Sequence, residues 1–187
     1  MRSGKSSKSS NNSPRRLNLA EYSPITILFL CSGNIIRSAY AELVFDKMIS
    51  EDACLKERIR VRSGALKYFN RQIFSEIIPF IIQEGVDQSR ITNFRPRHIM
   101  DYPELLTEAN LILVMTQNQL NLLPSEYRNM AYLLYQYVFN ESLDIPDPFF
   151  DPPMKHAVNL LKKALVGLLE KFRTEFCPPI ENTKNDD

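Results

Sequence analysis

The sequence predicts an α/β fold: a four-stranded parallel sheet in a three-layer arrangement, with helices on both faces. Three observations carry that prediction. Short apolar runs alternate from about Ile25 with segments of helical period, the pattern of βα units. The last of those segments is strongly periodic. And 187 residues with 44% hydrophobic content can bury one substantial core but hardly two.

Taken in order, Ile25 to Leu30 reads as a buried strand. Ala41, Val44, Phe45 and Met48 recur at i, i+3, i+4 and i+7 with Glu42, Asp46 and Lys47 between them, which predicts a helix starting near Arg37. Arg58 to Ser63 alternates as a second strand. Ser75 to Glu84 is helical in pattern, with Pro79 forcing a late start or a kink and Gly85 as its stop. Asp101 and Pro103 read as a cap and first-turn proline before a helix over Glu104 to Ala109, and Leu111 to Met115 as the third strand. Gln117 to Leu123 predicts a short helix, and tyrosine-rich Ala131 to Val138 a fourth strand. DIPDPFFDPP is a rigid proline-broken loop. Ala157, Leu160, Leu161, Ala164, Leu165, Leu168 and Phe172 mark a long helix stopped by Pro178 and Pro179.

The expected organisation is one folded domain over 23–177 between a polar tail at 1–22 and a flexible acidic tail at 178–187. Net charge is +1 and no basic tract interleaves with aromatics, so neither nucleic acid nor a membrane surface is an expected partner. The longest apolar runs are far shorter than the roughly 20 residues of a spanning helix. Three cysteines without a CxxC pair predict free thiols, including Cys54 and Cys177, and a cytoplasmic setting. Two distant histidines, His98 and His156, make a zinc cluster unexpected, and no metal or cofactor is predicted.

The chemistry concentrates in CSGNIIRSAYAE, from Cys31 to Glu42. A loop from a buried strand into a helix leaves first-turn N–H groups unpartnered at the positive end of the helix dipole, which favours an anion. Gly33 permits a positive φ or a close approach, and Asn34 tolerates the left-handed region and braces the loop with its amide. Arg37 offers a planar fork that grips two phosphoryl oxygens at once. Cys31 sits where the same field favours sulfur as a thiolate nucleophile. A lone cysteine at a strand end is ordinarily a small buried hydrophobe. Here glycine, asparagine, arginine and Ser38 agree on one anion site. The nucleotide loop GxxxxGK[ST] is absent.

CSGNIIRSAYAE resembles the signature CxGNxxRSxxAE of the low-molecular-weight protein tyrosine phosphatases. The similarity continues through VRSGA at Ser63, LILVMT and IPDPFF, covering about Ile25 to Phe172. The resemblance implies strand order 2-1-3-4 with the cleft at the carboxyl edge of the sheet, where such sheets bind ligands. It implies a metal-independent phosphomonoester hydrolase acting on phosphotyrosine proteins through a cysteinyl-phosphate, with inorganic phosphate or a similar oxyanion as product and inhibitor. Cys31 would attack phosphorus. Arg37 and the loop amides of Ser32, Gly33, Asn34, Ile35 and Ile36 would hold the equatorial oxygens, and Ser38 would hydrogen-bond the sulfur. Asp147, followed by Pro148 and an aromatic, matches the general acid, ahead of Asp144 and Asp151. Asn34 and Ser63 match residues that hold the loop in shape. Phe149, with Tyr68 or Phe69, matches the aromatics that flank the cleft.

Departures from the family are informative. Ile36 stands where the family usually has a second cysteine, so a protective disulfide with the nucleophile cannot form. Phe149 and Phe150 replace tandem tyrosines. Phe94 falls, in a rough alignment, where a bracing histidine often stands. Arsenate reductases share the loop but need redox cysteines that are missing between Gly85 and Asp147. Protein-arginine phosphatases usually carry threonine at the place of Ile35, which leaves arginine phosphate as the alternative substrate and a non-catalytic phosphate-binding module as the alternative class.

Overall fold

In the computed structural model, which describes residues 18–150 and 153–177, four strands form one parallel sheet in the order β2-β1-β3-β4. They are β1 (Ile25–Cys31), β2 (Ile59–Ala65), β3 (Leu111–Val114) and β4 (Ala131–Leu133). Central β1 pairs with β2 along its whole length and with β3 from Ile27 to Leu30. Its side chains alternate between two apolar layers, as a pleated strand covered on both faces requires. Ile27, Phe29 and Cys31 enter one layer, and Leu28 and Leu30 the other.

The larger layer is covered by α1 (Arg37–Glu51) and α7 (Met154–Phe176), with α2 (Ile78–Gln83), α3 (Gln88–Asn93) and α6 (Leu134–Phe139) around them. The smaller layer holds Leu105 and Leu106 of α4 (Glu104–Thr107), and Leu123 at the end of α5 (Gln117–Leu122). The three-layer fold and the strand order follow the sequence reading. Ser75–Ile77 is a 3-10 turn that delivers the chain to α2 with Pro79 in its first turn, and Gly85 closes that segment at φ +80°.

Four details differ from the sequence reading. The predicted fourth strand stops at Leu133 and becomes α6. Tyrosine-rich composition favours a strand, but Gly167 of α7 removes the side chain that would block close approach: a Cβ there would lie 2.6 Å from Val138 and 2.9 Å from Phe139. Packing against α7 decides the backbone, and Asn140 ends α6 in the left-handed region at φ 60°. α3 is a helix without an apolar periodicity of its own, capped by Asp87, whose carboxylate accepts the Ser89 N–H. Asp101 does not cap α4; Pro103 occupies that position and contributes no side-chain bond.

The fourth difference is a disulfide. Cys54 and Cys177, expected as free thiols, are bonded to each other, with Cα atoms 6.3 Å apart. The turn after α1 and the end of α7 meet only in the fold, 123 residues apart in sequence, so no local spacing announced the pair. Asp52 and Arg173 form an ion pair beside it. The odd cysteine count is thus one bonded pair plus Cys31, and free thiols throughout, the basis for expecting a reducing compartment, are not found. Of the polar tail expected at 1–22, residues 1–17 lie outside the described residues, whereas Leu19–Glu21 form a 3-10 turn that buries Leu19 in the larger core layer. The tail expected at 178–187 and the competitor Asp151 also lie outside the described residues. No described helix is long and apolar enough to cross a membrane, and no cluster of metal-ligating side chains occurs among the described residues.

Candidate active site

β1 ends at Cys31 and α1 begins at Arg37, so residues 32–36 form the loop between them at the carboxyl edge of the sheet. Asn34 adopts φ 55°, the left-handed conformation that asparagine tolerates. Gly33 serves close approach instead: a Cβ there would lie 2.9 Å from Asn70 Nδ2, whose amide donates to the Gly33 carbonyl at 2.8 Å. Three further carbonyls at and beside the loop are also bonded outward. Cys31 accepts from the Leu66 N–H, Ser32 from those of Lys67 and Tyr68, and Ile35 from that of Phe74. With the Ser32, Gly33 and Ile35 carbonyls tied to 66–74, the amides of Gly33, Ile35 and Ile36 are left with no backbone acceptor among the described residues. That is the electrostatic form of an anion cradle.

Cys31 is buried, with its sulfur held by two groups. The Asn34 N–H donates to Sγ at 3.3 Å, and Ser38 Oγ lies 3.0 Å away. Asn34 Nδ2 donates to Ser38 Oγ at 2.9 Å, so the Ser38 proton is free for the sulfur or for the Gly64 carbonyl at 3.4 Å. Asn34 is itself fully engaged, also donating to Ser63 Oγ at 2.7 Å and accepting from the Arg97 N–H at 2.9 Å. Ser63 donates to Glu42, which also pairs with the Arg97 guanidinium. The expected brace of Asn34 and Ser63 is therefore extended by two residues the sequence reading missed. Glu42 reads as a solvent-side helix position, but its carboxylate faces β2. Arg97, not Phe94, reaches the loop; Phe94 is packed in the core.

Arg37 is only 2% exposed and unites the site. Its Nη1 donates to the Ile145 carbonyl at 3.1 Å, and its Nη2 faces Ser32 Oγ at 3.5 Å and forms an ion pair with Asp147. Asp147 reaches this position on the proline-rich loop, which is tied to the sheet by the Ile145 N–H to the Met115 carbonyl at 2.8 Å. Asp144 is turned away to the Gln117 N–H.

A pocket of about 220 Å³ opens above this group, lined by Ser32, Arg37, Tyr68, Asp147 and Phe150, with Lys67 and Leu122 among its other walls. The aromatic expectation is corrected in part. Tyr68 borders the pocket, but Phe69 stacks on His98 at 3.8 Å between ring centroids. Phe150 lines the opening, while Phe149 packs edge-on against Phe74 and Phe150. Adjacent aromatics on an irregular loop carry no periodicity that would have sorted them.

A buried thiol in contact with the Asn34 N–H and the Ser38 hydroxyl, a buried guanidinium, loop amides without backbone acceptors and a carboxyl group paired to that guanidinium define a cysteine-based phosphatase. The chain belongs to the low molecular weight phosphotyrosine protein phosphatase family, whose model matches residues 26–176. It is 27% identical over 126 residues to the protein-arginine-phosphatase of Bacillus subtilis, covering 66% of this chain and 79% of that protein. Among solved structures it resembles Vibrio vulnificus Wzb in complex with benzylphosphonate, at 25% identity and TM-score 0.63, covering 79% of this chain and 98% of that one. It also shares the fold of an arginine phosphatase from Geobacillus stearothermophilus, at 22% identity and TM-score 0.68, over 81% and 95% of the two chains.

Proposed function

We propose that this phosphatase removes the phosphoryl group from phosphotyrosine in proteins, with Cys31 as nucleophile and Asp147 as general acid. The observation that carries this reading is the arrangement around Arg37: the loop of residues 32–36 joins it to Cys31, and Asp147 pairs with it at the pocket that Ser32 also lines. Once the phosphoryl group has displaced it from Arg37, the Asp147 carboxylate takes the proton that Cys31 gives up. The sulfur, as thiolate, then attacks phosphorus as the bond to the ester oxygen breaks, and Asp147 gives that oxygen the proton. Water then attacks the cysteinyl-phosphate and passes its proton to Asp147. Sulfur departs as thiolate toward the Ser38 hydroxyl, 3.0 Å away. Charge on the equatorial oxygens falls to Arg37 and the loop amides, so the chemistry calls on no metal.

The ion pair of Arg37 with Asp147 fits this cycle. An entering phosphoryl dianion competes for the guanidinium and frees the carboxyl group to face the leaving oxygen. The preference for an aryl ester rests on Tyr68, Phe150 and Leu122 at the opening, where a phenyl ring finds apolar walls. Benzylphosphonate in the Vibrio vulnificus relative supports the same class of substrate. Phosphoarginine is the second reading, favoured by the Bacillus subtilis relative. Lys67 beside the opening weighs against it, because a substrate guanidinium meets a like charge there. The catalytic domain in this proposal spans 23–177. A cytoplasmic location is proposed because phosphorylated protein side chains are made from nucleoside triphosphates.

Hydrolysis of p-nitrophenyl phosphate, undiminished by EDTA, is the expected activity; a folded protein without turnover would reduce the site to phosphate binding. Phosphotyrosine peptides should release phosphate faster than phosphoarginine peptides, and the reverse order would transfer the assignment to arginine.

A further inference from the structure

Gln119 is a buried polar side chain lining the pocket that the reaction scheme leaves without a task. It is 3% exposed on short α5, and both ends of its amide are used. Its Oε1 accepts the Met115 N–H at 2.9 Å, and its Nε2 donates to Ser32 Oγ at 3.1 Å. A backbone N–H can only donate, so this orientation of the amide is fixed: the NH₂ end must point at Ser32. The other neighbour of Ser32 Oγ, the Arg37 guanidinium, also only donates. The hydroxyl therefore takes acceptor duty toward both groups, and its own proton has no acceptor among the described residues. Ser32 lines the pocket beside Cys31.

We infer that Gln119 is a positioning residue which locks the Ser32 hydroxyl as a donor into the phosphoryl site, adding a side-chain hydrogen bond to the charge-stabilising set of loop amides and Arg37. The consequence follows from the one-proton arithmetic of a hydroxyl. A serine free to rotate would spend part of its time donating to protein or water. With donors on two sides, its proton is available only to an oxygen in the pocket, preorganised before the phosphoryl group arrives. The hydrogen bond strengthens as negative charge accumulates on the equatorial oxygens, so it acts on the rate more than on ground-state binding.

The inference rests on the phosphatase reading, which wild-type turnover of p-nitrophenyl phosphate checks first: an inactive wild type removes both, whereas an active one leaves this inference to its own test. Ser32→Ala should lower kcat about tenfold with a smaller change in KM, and weaken inhibition by vanadate more than by inorganic phosphate. Ser32→Thr, which keeps the hydroxyl, should restore most of the rate. Gln119→Leu should lower kcat severalfold in the wild type but less than twofold in the Ser32→Ala background, because its effect passes through that hydroxyl. Gln119→Met, nearly isosteric, covers the case in which leucine disturbs packing. A kcat for Ser32→Ala within twofold of wild type, or an undiminished loss from both Gln119 substitutions in the Ser32→Ala background, would overturn the inference.

Discussion

The loop after β1 and the loop that carries Asp147 both border one pocket, yet they are built on opposite terms. Residues 32–36 are tied down by outward-bonded carbonyls, by Asn34 with its full set of hydrogen bonds, and by the Ser63–Glu42–Arg97 brace behind it. The acid loop has no regular structure between Asn140 and Pro148, leaves Phe149 and Phe150 largely exposed, and is fastened at a few points. Two of those fasteners are Arg37 itself, through the Ile145 carbonyl and Asp147. The difference matches the tasks proposed for the two loops. Stabilising phosphoryl charge needs dipoles that do not reorganise, whereas a proton donor must leave Arg37, meet a leaving oxygen, and later accept a proton from water.

The largest effect is expected at the centre of the rigid side. Cys31→Ser should abolish turnover while keeping oxyanion affinity, read by phosphate inhibition or direct binding; loss of binding as well would mean the cradle depends on the sulfur for its shape. Arg37→Lys should lower kcat/KM about a thousandfold, since an ammonium cannot hold two phosphoryl oxygens and the Ile145 carbonyl together. A small loss would show that the loop amides alone suffice.

Asp147→Asn sharpens the comparison from the other side. It should slow alkyl or unsubstituted phenyl phosphates by roughly a hundredfold or more, and p-nitrophenyl phosphate far less, because a good leaving group needs little protonation. Equal losses on both would remove the acid role and leave Asp147 as a partner of Arg37 only.

The smallest effects on catalysis belong to the far end of the molecule. Cys54→Ser should cost about 3 kcal/mol of stability, measured by denaturant unfolding under non-reducing conditions, and leave kcat unchanged. Asp52 lies beside that disulfide. Its carboxyl is held below the ordinary value of 3.8 by the Arg173 hydrogen bond first, and also by the N–H groups of Leu55 and Cys54. A depressed folded-state pKa stabilises the fold above 3.8 and loses that contribution as pH falls through the lower, native value. Asp52→Asn should therefore flatten the acid limb of the stability curve, with activity again unaffected.

Legibility in the sequence follows the same division. Cys31, Gly33, Asn34, Arg37 and Ser38 could be read because they lie within one short loop whose spacing fixes the geometry. Asp147 was legible through the Asp-Pro-aromatic triplet. Glu42, Arg97 and Gln119 were not, since a charged residue on a helix or a glutamine in a short segment gives no sign of which way it faces. Tyr68 and Phe150 likewise could be separated from Phe69 and Phe149 only by where the two loops meet.

By itself the sequence determined the parallel sheet, its covering helices and the anion loop, because apolar periodicity and backbone preference act over a few neighbouring residues. Tertiary structure decided what depends on distant surfaces coming together. It turned a tyrosine-rich strand candidate into α6 over Gly167, joined Cys54 to Cys177, and placed Glu42 and Arg97 behind the cradle. Such choices depend on contacts made across the chain, where burial and close packing outweigh the local preference of any single segment.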